Sequence, residues 1–166
     1  MAVMENARIQ IYTGNGKGKT TAALGLCFRA LGHSLSVAML QFCKHKSCGE
    51  HIEAVKVGLS IIRCPSGRMG AICAGPCPLL IKARGLLSAG LDLLVLDEIM
   101  AAISRGCVSA EEVLKLLDET SGRTEIVLTG RDAPRELIER ADLVTDMKPV
   151  KHYFSRGLLA REGIEY

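Results

Sequence analysis

The sequence contains no tryptophan and only three tyrosines and three phenylalanines, so any core it builds is aliphatic. Charge of one sign is scarce as well: 21 Lys and Arg stand against 18 Asp and Glu, a net charge of +3 with no basic run. That excludes a surface that tracks nucleic acid and confines anion binding to a local site. No apolar stretch approaches the roughly 18 residues of a membrane span. The run at Leu91 to Leu96 is interrupted by Asp92 and closed by Asp97 and Glu98, so no membrane partner is expected. The opening MAVMENAR lacks the basic flank, apolar centre and small-residue cleavage site of a secretory signal, and the expected compartment is the cytoplasm. With 166 residues, 48% of them hydrophobic, the chain reads as one domain, 1–166, and neither a disordered nor a fibrous class fits.

Strands and helices alternate along the chain. Arg8 to Thr13 alternates Ile9 and Ile11 with Gln10 and Tyr12 and reads as a strand, followed by a glycine-rich loop at Gly14 to Gly18. From Lys19 to Leu31, Ala22, Ala23, Leu26, Cys27 and Ala30 recur at helical spacing, and Gly32 stands where a terminating glycine is expected. Further strands are expected at Ser36 to Phe42, Leu59 to Cys64, Leu91 to Leu96, Glu125 to Leu128 and Leu143 to Met147. The run at Leu91 is of the kind buried on both faces in a parallel sheet. Ser109 and Glu112 form a capping box for a helix through Leu117, and Asp132 and Pro134 open another to about Arg140. The stretch 64–78, broken by Pro65, Gly67, Gly70, Gly75, Pro76 and Pro78, is expected to be a long loop. The pattern predicts an α/β fold with an open, mainly parallel sheet flanked by helices and joined by right-handed crossovers. Ligands of such sheets sit at the carboxyl ends of the strands, where the following motifs fall.

Thr13 to Thr20 fits the spacing of a phosphate loop, with Gly18, Lys19 and Thr20 in its last three places and Thr13 where the first glycine is usual. Gly14, Gly16 and Gly18 allow consecutive amides to turn inward as an anion nest, beside Asn15 and Lys17, and the next helix adds its positive end. Lys19 brings a compact charge to the phosphate oxygens, and Thr20 a hydroxyl for magnesium. The second half of the motif is the aliphatic strand ending at Asp97 and Glu98, whose carboxylates can hold magnesium directly or through water. Together these predict a P-loop NTPase-like, RecA-like fold binding a nucleoside triphosphate with Mg2+. Arg131, after Leu128-Thr129-Gly130, is placed at the same sheet edge and can reach the phosphates. The reaction stays open at this level, because the same loop serves many chemistries.

Gly14-Asn15-Gly16-Lys17-Gly18-Lys19-Thr20-Thr21-Ala22-Ala23, the strand through Asp97-Glu98, Leu128-Thr129-Gly130-Arg131, Val150-Lys151-His152 and the closing Gly163-Ile164-Glu165-Tyr166 form an ordered set. That set resembles the phosphate-loop class of corrinoid adenosyltransferases over nearly the whole chain. The resemblance implies transfer of the 5′-deoxyadenosyl group of ATP to the cobalt of a reduced corrinoid such as cob(I)alamin, with release of inorganic triphosphate. It implies ATP held with its terminal phosphate deep in the loop, so that the ribose carbon points toward the corrinoid. Asn15 to Thr21 would then wrap the triphosphate, Lys19 would neutralise the leaving group, and Thr20 with Glu98 would hold magnesium with Asp97 behind them. Arg29 and Arg131 match positions near the nucleotide, and Lys151, His152 and the C-terminal segment match the corrinoid side. A homodimer is implied, and an electron-donating reductase is a possible further partner. Two other readings stay open: an ATPase or phosphotransferase on the same fold, and a non-catalytic protein that binds ATP or corrinoid.

The chain departs from the family in two places. Only seven residues precede Arg8, where relatives often carry a covering helix. The loop after the third strand lacks the Phe and Trp that in better-known members displace the lower axial ligand of cobalt(II); here that stretch runs from Cys64 to Cys77. Seven cysteines is a high count for this length, and in a reducing compartment thiols or metal ligands are expected rather than bridges. Cys43 and Cys48, near His45 and His51, and Cys64, Cys73 and Cys77 fall on one sheet edge and are candidate ligands for zinc or an iron–sulfur cluster. The alternative is that they are small packing residues, which suits Cys27 and Cys107.

Overall fold

The computed structural model describes residues 6–44, 46–64, 75–120 and 122–166. In chain order the elements are β1 (Ile9–Thr13), α1 (Lys19–Gly32), β2 (Val37–Gln41), α2 (Gly49–Val57), β3 (Ser60–Arg63), α3 (Pro78–Ser88), β4 (Leu93–Asp97), α4 (Ile99–Ser104), α5 (Ala110–Asp118), β5 (Glu125–Thr129), α6 (Arg135–Arg140) and β6 (Leu143–Asp146), followed by a 3-10 turn at Tyr153–Arg156. The six strands form one sheet in the order β3-β2-β4-β5-β1-β6. Every pairing is parallel, with Ile11 opposite Leu128 and Leu96 opposite both Leu40 and Leu128.

Alternation along the central strands explains why helices cover both faces. Val37, Met39, Leu93, Val95 and Val127 pack with Ala23, Cys27 and Ala30 of α1 and Ala54 of α2. The intervening Ala38, Leu40, Leu94, Leu96, Ile126 and Leu128 pack with Leu79, Leu80 and Ala83 of α3, Ile99 of α4, Val113 and Leu116 of α5 and Leu137 of α6. Strands sandwiched this way carry apolar residues at every position, as the run at Leu91 to Leu96 predicts. The Ser109–Glu112 capping box forms as expected: Glu112 N donates to Ser109 Oγ at 3.1 Å, and Ser109 N donates to Glu112 Oε2 at 2.8 Å.

Two boundary expectations are corrected. Gly32 belongs to the last turn of α1, and the residue that turns the chain left-handed is Ser34, at φ 60. Pro78 is the first residue of α3 rather than the end of the loop, which suits a residue without an N–H to lose. Residues 65–74 of that loop lie outside the described residues. Strand β4 is not the direct neighbour of β1; β5 lies between them, which places Thr129 between the phosphate loop and the acidic pair.

Candidate functional site

Two glycines of the loop are demanded by packing. Gly16 N donates to Met147 O at 2.6 Å, and Met147 N donates to Thr13 O at 2.9 Å. A Cβ on Gly16 would stand 2.5 Å from Met147 O, and one on Gly14 would collide with the Asp146 carboxylate. The chain leaving β6 thus braces the loop from behind. Gly18, at φ 117, turns it into α1. Lys19 is 7% exposed, and its Nζ donates to Gly14 O at 2.7 Å and Gly16 O at 2.8 Å, which spans the loop with its ammonium. Burial lowers its pKa, and Glu98 opposes the shift.

Asp97, at the end of β4, is fully buried and takes hydrogen bonds on both oxygens. Oδ1 accepts from Thr20 Oγ1 at 2.9 Å and from Thr129 Oγ1 at 2.7 Å; Oδ2 accepts from Gln41 Nε2 at 3.1 Å. Thr129 in turn accepts from the Glu98 amide at 2.9 Å. Because Thr20 gives its hydroxyl proton to Asp97, its oxygen lone pairs are left for a cation. Glu98 caps α4 with left-handed backbone, φ 59, and is half-buried at the mouth of the site. Among the described residues no group donates a hydrogen bond to its carboxylate. Burial raises its pKa and Asp97 adds to the rise, opposed by Lys19, Lys44 and Arg131. Two hard oxygen donors beside a phosphate loop fit magnesium in donor type.

These groups open on a cavity of about 720 Å³. Asn15, Gly16, Lys17, Gly18, Lys19, Thr20 and Thr21 form one wall, Glu98 and Arg131 the floor beside it, and His152 and Tyr153 the side toward the C terminus. Gly14 instead lines, with Asn15, a smaller cavity of about 330 Å³. Arg29 and Lys151 are exposed and do not line the large cavity. His152 accepts from the Phe154 amide at 3.1 Å through Nδ1 and so caps the 3-10 turn while facing the cavity.

Several contacts around the cavity escape sequence reasoning. Lys17 Nζ donates to Glu165 Oε1 at 2.7 Å, to Tyr153 Oη at 2.9 Å and to Ile164 O at 3.1 Å. Tyr153 Oη also donates to Glu165, and Arg161 pairs with Glu165 at 3.2 Å. Arg161, Lys17 and Tyr153 together hold the Glu165 carboxyl far below the usual range. The phosphate loop and the chain end therefore meet at one ion cluster. Lys44 pairs with Glu50 at 2.5 Å, both lining the cavity, and its ammonium acts on Asp97 and Glu98. The single hint in the sequence was proximity to the cysteine and histidine group after β2.

Of the candidate thiol ligands, Cys48 meets His51 and Glu50, their ligand atoms all within 4.8 Å of one another. Both nitrogens of His51 are already bonded, Nδ1 to the Cys48 amide at 2.8 Å and Nε2 to Gln41 Oε1 at 2.7 Å, so this group builds the cap of α2. Cys43, Cys64 and Cys77 lie outside it, and Cys73 and His45 lie outside the described residues. Cys27, fully buried on α1 against the sheet and with its thiol pushed up to about 12, is a packing residue.

The model of the ATP:corrinoid adenosyltransferase family BtuR/CobO/CobP matches residues 5–73 and 79–166. The chain belongs to this family. The match is interrupted within the proline- and cysteine-bearing stretch where the aromatic pair is missing. A corrinoid adenosyltransferase of Escherichia coli K12 is 33% identical over 98% of this chain and 87% of its own length. The corrinoid adenosyltransferase CobA of Salmonella typhimurium is 34% identical over the same shares, and one of Pseudomonas aeruginosa 31% over 98% and 85%. Among solved structures, a KaiC-like protein of Pyrococcus horikoshii OT3 superposes with a TM-score of 0.56 at 17% identity, covering 90% of this chain and 76% of that one. That likeness shows the fold, a P-loop NTPase-like α/β sheet.

Proposed function

We propose that the protein transfers the 5′-deoxyadenosyl group of ATP to the cobalt of a reduced corrinoid and releases inorganic triphosphate. Beside family membership, the observation that carries this reading is the arrangement of charge. Lys19, Lys44 and Arg131 act on Glu98 beside Asp97, in a cavity that His152, Tyr153 and the C-terminal residues also line. A triphosphate seated among those cations leaves the nucleoside toward the C-terminal wall. Cobalt(I) then forms its bond to the ribose C5′ as the C5′–O bond breaks, and the electron pair leaves with the triphosphate. Charge builds on the leaving oxygens, and preorganised cations and loop amides are worth most at that point. Cobalt(I) is itself the nucleophile, so the step asks for no general base.

Thr20 and Glu98 would hold magnesium, with Asp97 orienting the Thr20 hydroxyl. When bound, the ion supplies positive charge to the triphosphate oxygens. In this reading the loop amides of Asn15 to Thr20 grip the triphosphate, Lys19 neutralises it, and Arg131 completes the cage. The electrons that make cobalt(I) come from outside the chain, from a reductase or a chemical donor. A homodimer is supported by the exposed edge strand β6, with Leu143 and Val144, and by the exposed Val150 and Phe154 beyond it. Among the described residues no helix is long and apolar enough to cross a membrane; the cytoplasm is our assignment, supported by the need for reduced cobalt. The experiment that tests the reaction is anaerobic incubation with MgATP and chemically reduced cob(I)alamin. Formation of the cobalt–carbon bond with intact triphosphate supports the reading; orthophosphate without that bond points to a hydrolase.

A further inference from the structure

Asp97 has an interaction that adenosyl transfer as written above does not use. Its Oδ2 is held by Gln41 Nε2 at 3.1 Å, and both side chains have no exposed surface. The Gln41 oxygen lies 2.7 Å from His51 Nε2, and His51 Nδ1 lies 2.8 Å from the Cys48 amide nitrogen. The ends of this chain of contacts settle its direction. A backbone N–H can only donate, so His51 Nδ1 accepts; at the other end Gln41 turns its NH2 to Asp97 Oδ2 and so its oxygen to His51. Nε2 of His51 must then carry the proton. The ring is neutral, and the Gln41 NH2, which donates to Asp97, also bonds the Glu50 carboxylate, so His51 and Glu50 together orient the amide. Burial keeps the His51 pKa low, with Arg63 and Lys44 acting the same way and Glu50 and the Cys48 contact opposing.

We propose that His51 and Gln41 are positioning residues for the cation site, acting through Asp97: the Cys48 amide sets the His51 tautomer, His51 orients the Gln41 amide, and Gln41 fixes the carboxylate rotamer that takes the Thr20 hydroxyl. The proposal rests on the reading that Thr20 and Glu98 hold magnesium. Its physical content is that a fixed Asp97 keeps the Thr20 lone pairs aimed outward. Without Gln41 the carboxylate keeps only its Oδ1 bonds from Thr20 and Thr129, so Oδ2 can pivot about that oxygen and the Thr20 hydroxyl is aimed less firmly. Asp97 is the partner bonded directly to the Thr20 ligand, and loss of such a partner typically changes metal affinity about ten- to a hundredfold; Gln41 and His51 act on it from further out, so their loss is expected to cost a part of that.

Two substitutions separate this role from capping. Gln and Glu at position 51 both serve as the third helical residue of a capping box and accept from the Cys48 amide. Gln can also donate to Gln41, whereas Glu offers that oxygen only another acceptor. ATP affinity would be measured calorimetrically with Mg2+ and with the metal chelated. We expect wild type and His51→Gln to gain the same affinity from Mg2+, and His51→Glu to lose a measurable part of that gain, up to about tenfold. The added negative charge favours cations, so the loss cannot come from charge alone. Equal Mg2+ dependence in His51→Glu and His51→Gln overturns the proposal. A wild-type protein whose ATP affinity ignores Mg2+ overturns the magnesium reading and this role with it. If His51→Glu does not fold, Gln41→Leu must show the same loss. Independently, 15N-resolved imidazole spectra of the wild-type protein near neutral pH should show the His51 proton on Nε2; a proton on Nδ1 refutes the relay whatever the variants do.

Discussion

Replacing Glu98 by Gln should stabilise the protein while weakening its ligand. The carboxylate is half-buried, no described group hydrogen-bonds it, and burial and Asp97 together outweigh the attraction of Lys19, Lys44 and Arg131, since its pKa is raised. Dehydrating a charged carboxylate costs more than dehydrating the neutral amide that replaces it, here by about 1–3 kcal/mol. Loss of the attraction to the three cations returns part of that, leaving a net gain of about 1 kcal/mol. In a domain of this size that is a rise of about 2–4 °C in Tm. The sign follows from linkage: a raised pKa means that wild-type Glu98 contributes its full stability only when protonated, and this is lost as pH rises through the raised value. The advantage of Gln is therefore largest on the alkaline side of the raised Glu98 pKa and fades as pH falls through it, because the protonated acid is as neutral as the amide. The same change removes a magnesium ligand, so ATP affinity in Mg2+ should fall tenfold or more, about 1.4 kcal/mol. Thermal unfolding from pH 4 to pH 8, paired with calorimetry, checks both. An unchanged or lower Tm at pH 8, or intact Mg2+ dependence, would refute the reasoning.

Three other outcomes follow from the site. Lys19→Ala should abolish measurable ATP binding in calorimetry while the fold persists in circular dichroism, since the amine bonds only carbonyls of its own loop. Thr129→Val leaves Asp97 Oδ1 and the Glu98 amide each short of a partner, and should cost about 1–3 kcal/mol in urea unfolding. Glu165→Ala should free the chain end from Lys17 and Arg161, seen as faster amide exchange at Arg161 and Gly163 to Tyr166; unchanged exchange would show that the ion cluster does not anchor it.

What was legible in the sequence was what is local. Strand β1, the phosphate loop and α1 announce themselves by alternation, glycines and helical spacing within a few dozen residues, and β4 by being apolar throughout. Helix α2 was not legible: it buries only Ala54, exposes Ile52, Val55 and Val57, and is capped by His51 reaching back to Cys48 rather than by a Ser or Asp. The contacts of Lys17 with Tyr153 and Glu165 were hidden for another reason. They join positions more than a hundred residues apart, and nothing in either segment marks the other. Gln41 read as one more strand residue; its role follows only from β2 lying beside β4, which sets it opposite Asp97.

The central claim is the transfer itself. Under anaerobic conditions the protein, MgATP and cob(I)alamin should give one cobalt–carbon bonded product per inorganic triphosphate released, followed by absorbance and by separation of the phosphate products. Orthophosphate or ADP in place of triphosphate, or binding of both substrates without turnover, would contradict it.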